Sequence, residues 1–308
     1  MNNKIKYWFL ACRPKTLTGA AVPVMIACAC AYADGFLKQD IAILCLLFAF
    51  GMQICSNLIN DLFDYLKGSD REDRLGPQRA CSQGWITPQA MKAGICVSVL
   101  VSCMFGLGIL YLSLPQLLFK GWELIAVGCC CVVFAYLYTS ILSYKGYGDS
   151  LVILFFGIVP VCTTYYVQTS VVTLPVFLLS LACGNAIDAL LVVNNYRDRE
   201  QDKISGKNTT VVLFGEKFGS FQYLMSGIIP VSIIFLVYIL DRLQVFRCGY
   251  ISIYEAVVVM IVYLSVHIAA WKKMMGIHKG RQLNQILGRT SLNILIFGIL
   301  LTLIIINN

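Results

Sequence analysis

Charged residues and histidines are scarce in this sequence. Only 13% of the 308 residues are Asp, Glu, Lys or Arg, whereas soluble domains have about 25%. The two histidines, His267 and His278, do not share a predicted helix with a carboxylate partner, and the 14 cysteines form no CxxC pair. No basic helix or aromatic RNA-binding motif is present. The sequence therefore argues against a soluble domain, a zinc–thiolate centre and a nucleic-acid partner.

Long apolar runs occupy most of the chain. Hydrophobic residues make up 58% of the sequence and the mean hydropathy is +0.76. Runs long enough to cross a bilayer predict an all-α polytopic membrane protein of about nine transmembrane helices, forming one domain over residues 1–308. The predicted spans are 18–33, 41–58, 90–112, 122–142, 150–168, 173–193, 221–240, 251–271 and 290–306.

The basic residues are distributed unequally between the two sides of the predicted bundle. With a cytoplasmic N-terminus, 20 of the 24 Lys and Arg residues fall in cytoplasmic segments, and only Lys38, Lys120, Arg242 and Arg247 fall on the other side. The positive-inside rule then predicts a multi-pass protein of the inner (cytoplasmic) membrane. The net charge of +8 fits membrane lipid headgroups and an anionic substrate. Because no A-x-A-like cleavage site follows the basic N-terminus, we expect it to be retained.

Two acidic motifs follow directly on apolar runs. In NLINDLFD the polar residues are spaced i, i+4 and i+7, and in NNYRDREQD they are spaced i, i+4 and i+8, so each set shares one helix face. Two such faces opposite each other would form an oxygen-rich cage, which suits Mg²⁺ held by carboxylates and substrate phosphates. The predicted metal ligands are Asn57, Asp61, Asp64, Asn194, Asp198 and Asp202.

Basic residues surround both motifs and suit an anion with several phosphate oxygens. They are Lys67, Arg71, Arg74, Arg79, Arg197, Arg199, Lys203 and Lys207. The resulting hypothesis is a metal-bridged diphosphate at the cytoplasmic surface of the membrane.

Other polar positions allow two interpretations each. Arg13 and Lys15 follow an aromatic belt and either anchor the chain at the headgroups or reach the diphosphate. Asp149 opens the fifth span and is either a helix cap or a substrate contact. Asp188 lies inside the sixth span, where an ionisable residue is a functional candidate unless it is protonated or hydrogen-bonded to a neighbouring helix.

Five motifs in order resemble those of the UbiA superfamily of intramembrane prenyltransferases. They are RPKTL at Arg13, NDLFDYLKGSD followed by RLGPQR, YKGYGD before the fifth helix, NNYRDREQD, and GKNT from Gly206. Their details resemble the branch that prenylates 1,4-dihydroxy-2-naphthoate for menaquinone. The resemblance spans essentially the whole chain and implies a UbiA-like bundle with a cytoplasmic-side cavity that opens sideways into lipid. Asp188 matches no role in this family.

The resemblance also implies an activity and a set of site residues. It implies Mg²⁺-dependent transfer from a polyprenyl diphosphate to 1,4-dihydroxy-2-naphthoate with decarboxylation, which gives demethylmenaquinone. We expect catalytic roles for Asp149, Lys145 and Tyr138. Arg79 and Lys207 are the first choices for residues that contact the substrate. The other expected contacts are Arg13, Lys15, Lys67, Arg74, Arg197 and Asn208.

Three alternatives remain open at this point. Another aromatic acceptor would suit the same motifs. A secondary transporter would explain paired motifs and Asp188, although it predicts broken helices with polar centres. A lipid phosphotransferase would explain a metal cage but not five motifs in this order.

Overall fold

A computed structural model describes residues 3–68, 75–140 and 142–308, with the side chains of residues 139 and 140 left out. Helices dominate the described chain, and no strand occurs in it. The helices are α1 (Asn3–Cys12), α2 (Leu17–Ala33), α3 (Gln39–Leu66), α4 (Pro88–Ser113), α5 (Trp122–Ser140), α6 (Gly148–Ile153), α7 (Val159–Thr169), α8 (Leu174–Ile204), α9 (Thr210–Phe214), α10 (Glu216–Arg242), α11 (Ile253–Ile277) and α12 (Asn284–Asn307).

The predicted all-α membrane bundle is confirmed. Within the described residues, eight helical segments are long and apolar enough to cross a membrane, and a shorter apolar helix covers Trp122–Tyr138. Together they account for the nine predicted spans. Large apolar side chains such as Met104 and Tyr111 of α4 are exposed at 70% and 79%, as is expected where a helix faces lipid. The protein is therefore a multi-pass integral membrane protein.

Two helices are longer than their apolar runs predict. The runs end near residues 58 and 193, but α3 continues to Leu66 and α8 to Ile204. Both acidic motifs therefore lie on the last turns of rigid helices. Gly68 (φ 64°) and Gly206 (φ 73°) follow these ends, and glycine adopts that left-handed conformation without the clash that a Cβ would cause.

The fifth span is irregular where it meets α8. A π-helical turn at Leu154–Ile158 separates α6 from α7. A Cβ on Gly157 would lie 2.5 Å from the carbonyl oxygen of Ser180, and one on Gly184 would lie 2.7 Å from that of Ile153. Only glycine allows this close backbone approach, which is a common device of helix pairs in membranes. It brings α6, and with it Asp149, against α8.

Candidate active site

Three connections meet at the end of the bundle where α3 and α8 finish. The backbone N–H of Asn208 donates to the carbonyl of Tyr144 at 3.1 Å. The ammonium group of Lys67 lies 3.8 Å from the centre of the Tyr144 ring, a cation–π contact. The Asn284 amide donates to the carbonyl of Leu75 at 2.8 Å. The connections after α3, α5 and α8 and the start of α12 thus form one polar surface.

The first acidic motif contains one carboxylate paired with arginine and one that holds a loop. Arg79 donates to Asp64 at 2.6 Å, and the Arg79 side chain is buried. Asp61 is 1% exposed, and its two oxygens each accept a backbone N–H, from Ala80 and from Cys81, at 2.9 Å. Burial, with a smaller contribution from the Asp61 charge, raises the pKa of the Cys81 thiol to about 12. Asp61 therefore fixes the loop that presents Arg79.

Asn57 is occupied by contacts within the fold. Its amide nitrogen donates to the Cys12 carbonyl at 3.0 Å and to the Thr16 hydroxyl at 2.9 Å, and its oxygen accepts from Gln53 at 3.4 Å. These bonds attach α3 to the N-terminal segment. A metal-binding role for Asn57 stays a prediction.

Asn60 is a residue that the sequence reasoning passed over. It is half-buried and precedes Asp64 by four positions, as Asn194 precedes Asp198 by four. The shared spacing was available in the sequence, and it places Asn60 and Asp64 on one side of α3.

The second acidic motif is built on a single helix. Arg197 forms a two-pronged pair with Asp198, its Nε at 2.7 Å and its Nη2 at 2.5 Å from the two carboxylate oxygens. Its remaining Nη1 donates to Asn284 at 2.7 Å. Arg197 is 4% exposed, and such forked pairs are geometrically specific. Asn284, which no motif indicated, therefore links α8 to α12 and, through Leu75, to the first loop.

Asp202 lies one turn beyond Asp198 and is only partly satisfied. The Lys207 ammonium is 3.7 Å from its Oδ1, and its backbone carbonyl accepts the Lys207 N–H at 2.8 Å. Its Oδ2 is buried without a hydrogen-bond partner. Asn194 uses its amide nitrogen on the carbonyl of Leu190 at 3.0 Å, which leaves its oxygen as a possible donor atom for a cation.

These residues fit a magnesium ion by the chemistry of their oxygens. No group of three His, Cys, Asp or Glu side chains in the described part of the chain is close enough to hold a metal by itself. Mg²⁺ in proteins is usually held by one or two carboxylates together with waters and substrate phosphates, so a full protein cage is not required. The unpartnered Oδ2 of Asp202 is the kind of buried oxygen that a cation satisfies.

A small pocket lies beside this cluster. Tyr138, Asp149 and Lys207 line it together with Asn195 and Thr209. Asp149 is 9% exposed, and its Oδ2 accepts a hydrogen bond from the Thr210 hydroxyl at 2.9 Å, while its Oδ1 has no partner. The N-cap position of α6 belongs to Tyr147. These contacts favour a substrate-facing role for Asp149 over a simple cap.

The other predicted substrate contacts lie at varied positions. Arg13 is half-buried with a φ of 50°, whereas Lys15 and Asn208 are exposed. Lys145, which we predicted to be catalytic, is exposed as well. Partial desolvation lowers the pKa of Lys67. The prediction for Arg74 lies outside the described residues.

Comparisons with known proteins assign a family to this architecture. The profile of the UbiA prenyltransferase family matches residues 20–280. The chain is 36% identical over 218 residues to the 1,4-dihydroxy-2-naphthoate octaprenyltransferase of Escherichia coli, covering 70% of each protein. It is 37% identical over 225 residues to the protein of the same name from Haemophilus influenzae, covering 70% of this chain and 71% of that one.

Solved structures share the fold. A UbiA homologue from Archaeoglobus fulgidus bound to GPP and Mg²⁺ superimposes with a TM-score of 0.65 at 15% identity, over 97% of this chain and 99% of that one. The apo structure of a homologue from Aeropyrum pernix gives 0.65 at 14% identity, over 94% and 97%. The bundle, the two acidic motifs and the sequence matches lead to one assignment: this chain belongs to the UbiA prenyltransferase family.

Proposed function

We propose that this protein transfers a polyprenyl group from polyprenyl diphosphate to 1,4-dihydroxy-2-naphthoate with loss of carbon dioxide, giving demethylmenaquinol, the reduced form of demethylmenaquinone. The observation that carries the proposal is the placement of Asp149, with its unpartnered oxygen, in a pocket that Lys207 joins to the Asp202 carboxylate. Two relatives with 36% and 37% identity bear the name of this transferase. Membership of a prenyltransferase family favours this enzyme over a transporter.

The diphosphate would lie between the two acidic motifs. Asp64, Asp198 and Asp202, assisted by the amide oxygens of Asn60 and Asn194, would hold Mg²⁺, which neutralises charge on the diphosphate when it is bound. Asp61 and Asn57, which we predicted as ligands from sequence, support this site through the loop and the N-terminal segment.

Cations of the chain would bind the phosphate oxygens directly. Arg79 and Arg197 are each held by a carboxylate, and arginine binds phosphate without a proton shift. Lys207 reaches the same region from the loop after α8. The further predicted contacts are Arg13, Lys15, Lys67, Arg74 and Asn208, with Lys145 at the rim of the connection that carries Asp149.

The acceptor would bind in the pocket beside Asp149. In the reaction, the ring carbon that carries the carboxylate bonds to C1 of the prenyl group while the C1–O bond to the diphosphate breaks. Asp149 accepts the proton of a ring hydroxyl during the attack, which raises the nucleophilicity of the ring. It returns that proton when carbon dioxide leaves and the ring becomes aromatic again. The Tyr138 ring provides an aromatic face for the developing allylic cation.

Product analysis tests the proposed acceptor. Purified protein in lipid nanodiscs would be incubated with Mg²⁺, farnesyl or geranylgeranyl diphosphate, and either dihydroxynaphthoate or 4-hydroxybenzoate. We expect a decarboxylated prenyl-naphthoquinol from the first acceptor and no product from the second, by mass spectrometry. Prenylation of 4-hydroxybenzoate alone would refute the naphthoate assignment.

We further propose that the site faces the cytoplasm from the inner membrane, because 20 of the 24 basic residues fall on that side. Cys81 is a poor labelling probe, since it is 3% exposed and its pKa is raised to about 12. The exposed neighbour Gln83 is a better position. We expect a Gln83→Cys variant to react with a membrane-impermeant maleimide only after the cells are opened. Reaction in intact cells would reverse the orientation.

A further inference from the structure

A buried acid that the proposed reaction does not use lies on α8. Asp188 is 5% exposed, and its Oδ1 has no hydrogen-bond partner. It sits within the apolar span Leu174–Ile204. A carboxyl group in such a place must be neutral, paired or hydrogen-bonded, and in membrane helices it usually has a function.

Polar side chains lie between Asp188 and Asp149. The side chain of Gln222 on α10 lies near the carboxyl groups of both acids. The Thr210 hydroxyl of α9 lies 2.9 Å from Asp149 Oδ2 and 3.0 Å from the side-chain oxygen of Gln222. The order along the chain is therefore Asp149, Thr210, Gln222 and Asp188, with each residue on a different helix.

With a hydrogen bond between Gln222 and Asp188, a count of hydrogens gives this network one acid proton. The Thr210 hydroxyl has a single hydrogen and cannot donate to Asp149 and Gln222 together. In one arrangement, protonated Asp149 donates to Thr210, Thr210 donates to the Gln222 oxygen, and the Gln222 amide donates to ionised Asp188. In the other, the Gln222 amide is turned round. Protonated Asp188 then donates to the Gln222 oxygen, the amide donates to Thr210, and Thr210 donates to ionised Asp149.

The surroundings of the two acids determine which charges are tolerated. Tyr138 of α5 and Lys207 of the loop after α8 line the pocket with Asp149, and Lys207 already pairs with Asp202. Among the residues that the structure describes, no Lys or Arg forms an ion pair with Asp188. Two ionised carboxylates joined through the half-buried Gln222 amide would repel each other, since both acids are themselves buried, so one of them keeps a proton.

We propose that Asp188 is a positioning residue that holds this proton and so keeps Asp149 ionised as the base for the acceptor. The inference rests on the proposed acceptor chemistry and deepens it. With Asp188 protonated, Thr210 is directed at Asp149 Oδ2, and the unpartnered Oδ1 remains to accept the ring hydroxyl proton. Asp188 itself touches no reacting atom.

Infrared spectroscopy tests the proton directly. A protonated carboxyl group has a carbonyl stretching band separate from that of a carboxylate. We expect the wild-type protein in dodecyl maltoside, a detergent without carbonyl groups, to show such a band at neutral pH, Asp188→Asn to lack it, and Asp40→Asn to retain it. Asp40 is a suitable control because it is exposed and, among the described residues, accepts a hydrogen bond only from the Ile41 N–H. A wild-type spectrum without this band, or its persistence in Asp188→Asn, would overturn the proposal.

Two substitutions separate the positioning role from simple packing. In Asp188→Asn the new amide can donate to the Gln222 oxygen, as the protonated acid does, so kcat/KM for the acceptor should stay at the wild-type level. In Asp188→Leu that oxygen has no donor when Asp149 is ionised. The acid limb of the pH–rate profile should therefore move to higher pH by about one unit. At pH values below this limb, kcat/KM for the acceptor would then be about tenfold lower than in the wild type.

Binding of prenyl diphosphate should be unchanged in both variants, since neither alters the acidic motifs. Equal pH profiles for the two variants, or loss of turnover in Asp188→Asn, would contradict the positioning role. If Asp188→Leu does not fold, the infrared comparison still decides. If wild-type protein prenylates no naphthoate, the proposed function fails, whereas the infrared band still reports whether the proton is present.

Discussion

The two acidic motifs have similar sequences but are constructed differently. In the first, Asp64 pairs with an arginine 15 positions away, and Asp61 holds the loop that carries this arginine. In the second, Asp198 pairs with the adjacent Arg197 on the same helix. Their positions at the ends of α3 and α8 are alike, but the cation of the first motif depends on a loop and that of the second on a helix and Asn284.

Because of this difference, we expect matching substitutions in the two motifs to have different effects. A change in the first motif acts on the fold of the loop as well as on charge. A change in the second acts on charge, because α8 remains helical and well packed without the carboxylates. Substitutions matched between the motifs can therefore distinguish a structural acid from a ligand-binding one.

The largest effect is expected at the paired carboxylates. Asp64→Asn and Asp198→Asn should each reduce kcat by at least about 100-fold, since electrostatic stabilisation of a developing charge is commonly worth that much or more. The rate of prenyl transfer at saturating Mg²⁺ measures this, and thermal unfolding in detergent checks that each variant is folded. Near wild-type turnover in either would remove that residue from the diphosphate site.

A different outcome is expected for Asp61. In Asp61→Asn one oxygen becomes an NH₂ group, which faces a backbone N–H of Ala80 or Cys81 and leaves it without an acceptor. Such an unsatisfied buried group costs about 1–3 kcal/mol. We expect a lower Tm for Asp61→Asn than for Asp198→Asn, together with reduced turnover. Equal Tm values for the two would show that Asp61 does not hold the loop.

A smaller effect is expected at the link between the second motif and α12. Asn284→Leu removes the acceptor of Arg197 Nη1 and the donor to Leu75. We expect a KM for prenyl diphosphate raised about fivefold, equivalent to about 1 kcal/mol, the net value of a typical hydrogen bond, with kcat less affected. Gln285→Leu is the matched control, because Gln285 is exposed and, within the described part of the chain, its side chain only accepts a hydrogen bond from Lys273. The same KM in both variants would contradict the link.

The membrane architecture could be predicted from the sequence because spanning helices require apolar runs of about 20 residues. The helical spacing of the polar residues also predicted that α3 and α8 continue past their apolar runs. The residue at which each helix ends could not be predicted, since hydropathy marks only where the apolar part stops. Their continuation depends on local helix formation and on the glycines at positions 68 and 206. That residues 1–308 form one domain stays a prediction.

The individual contacts of the site were less accessible to sequence reasoning. Asn57 and Asp61 bind partners 41 and 19 positions away, Thr16 and Ala80, and Arg197 binds Asn284, 87 positions away. No periodic pattern encodes such contacts. The pairing of Arg197 with Asp198 was also hidden, because adjacent residues on a helix do not normally face each other; the long arginine side chain makes the contact possible.

The central claim is that both motifs hold the same diphosphate, and a double-mutant cycle tests it most directly. The Kd of farnesyl diphosphate would be measured by calorimetry, with Mg²⁺ and without acceptor, for wild type, Asp64→Asn, Asp198→Asn and the double variant. Residues that share a ligand couple by about 0.5–3 kcal/mol. The account predicts coupling in this range that disappears when Mg²⁺ is removed. Additive losses, the same with and without Mg²⁺, would contradict it.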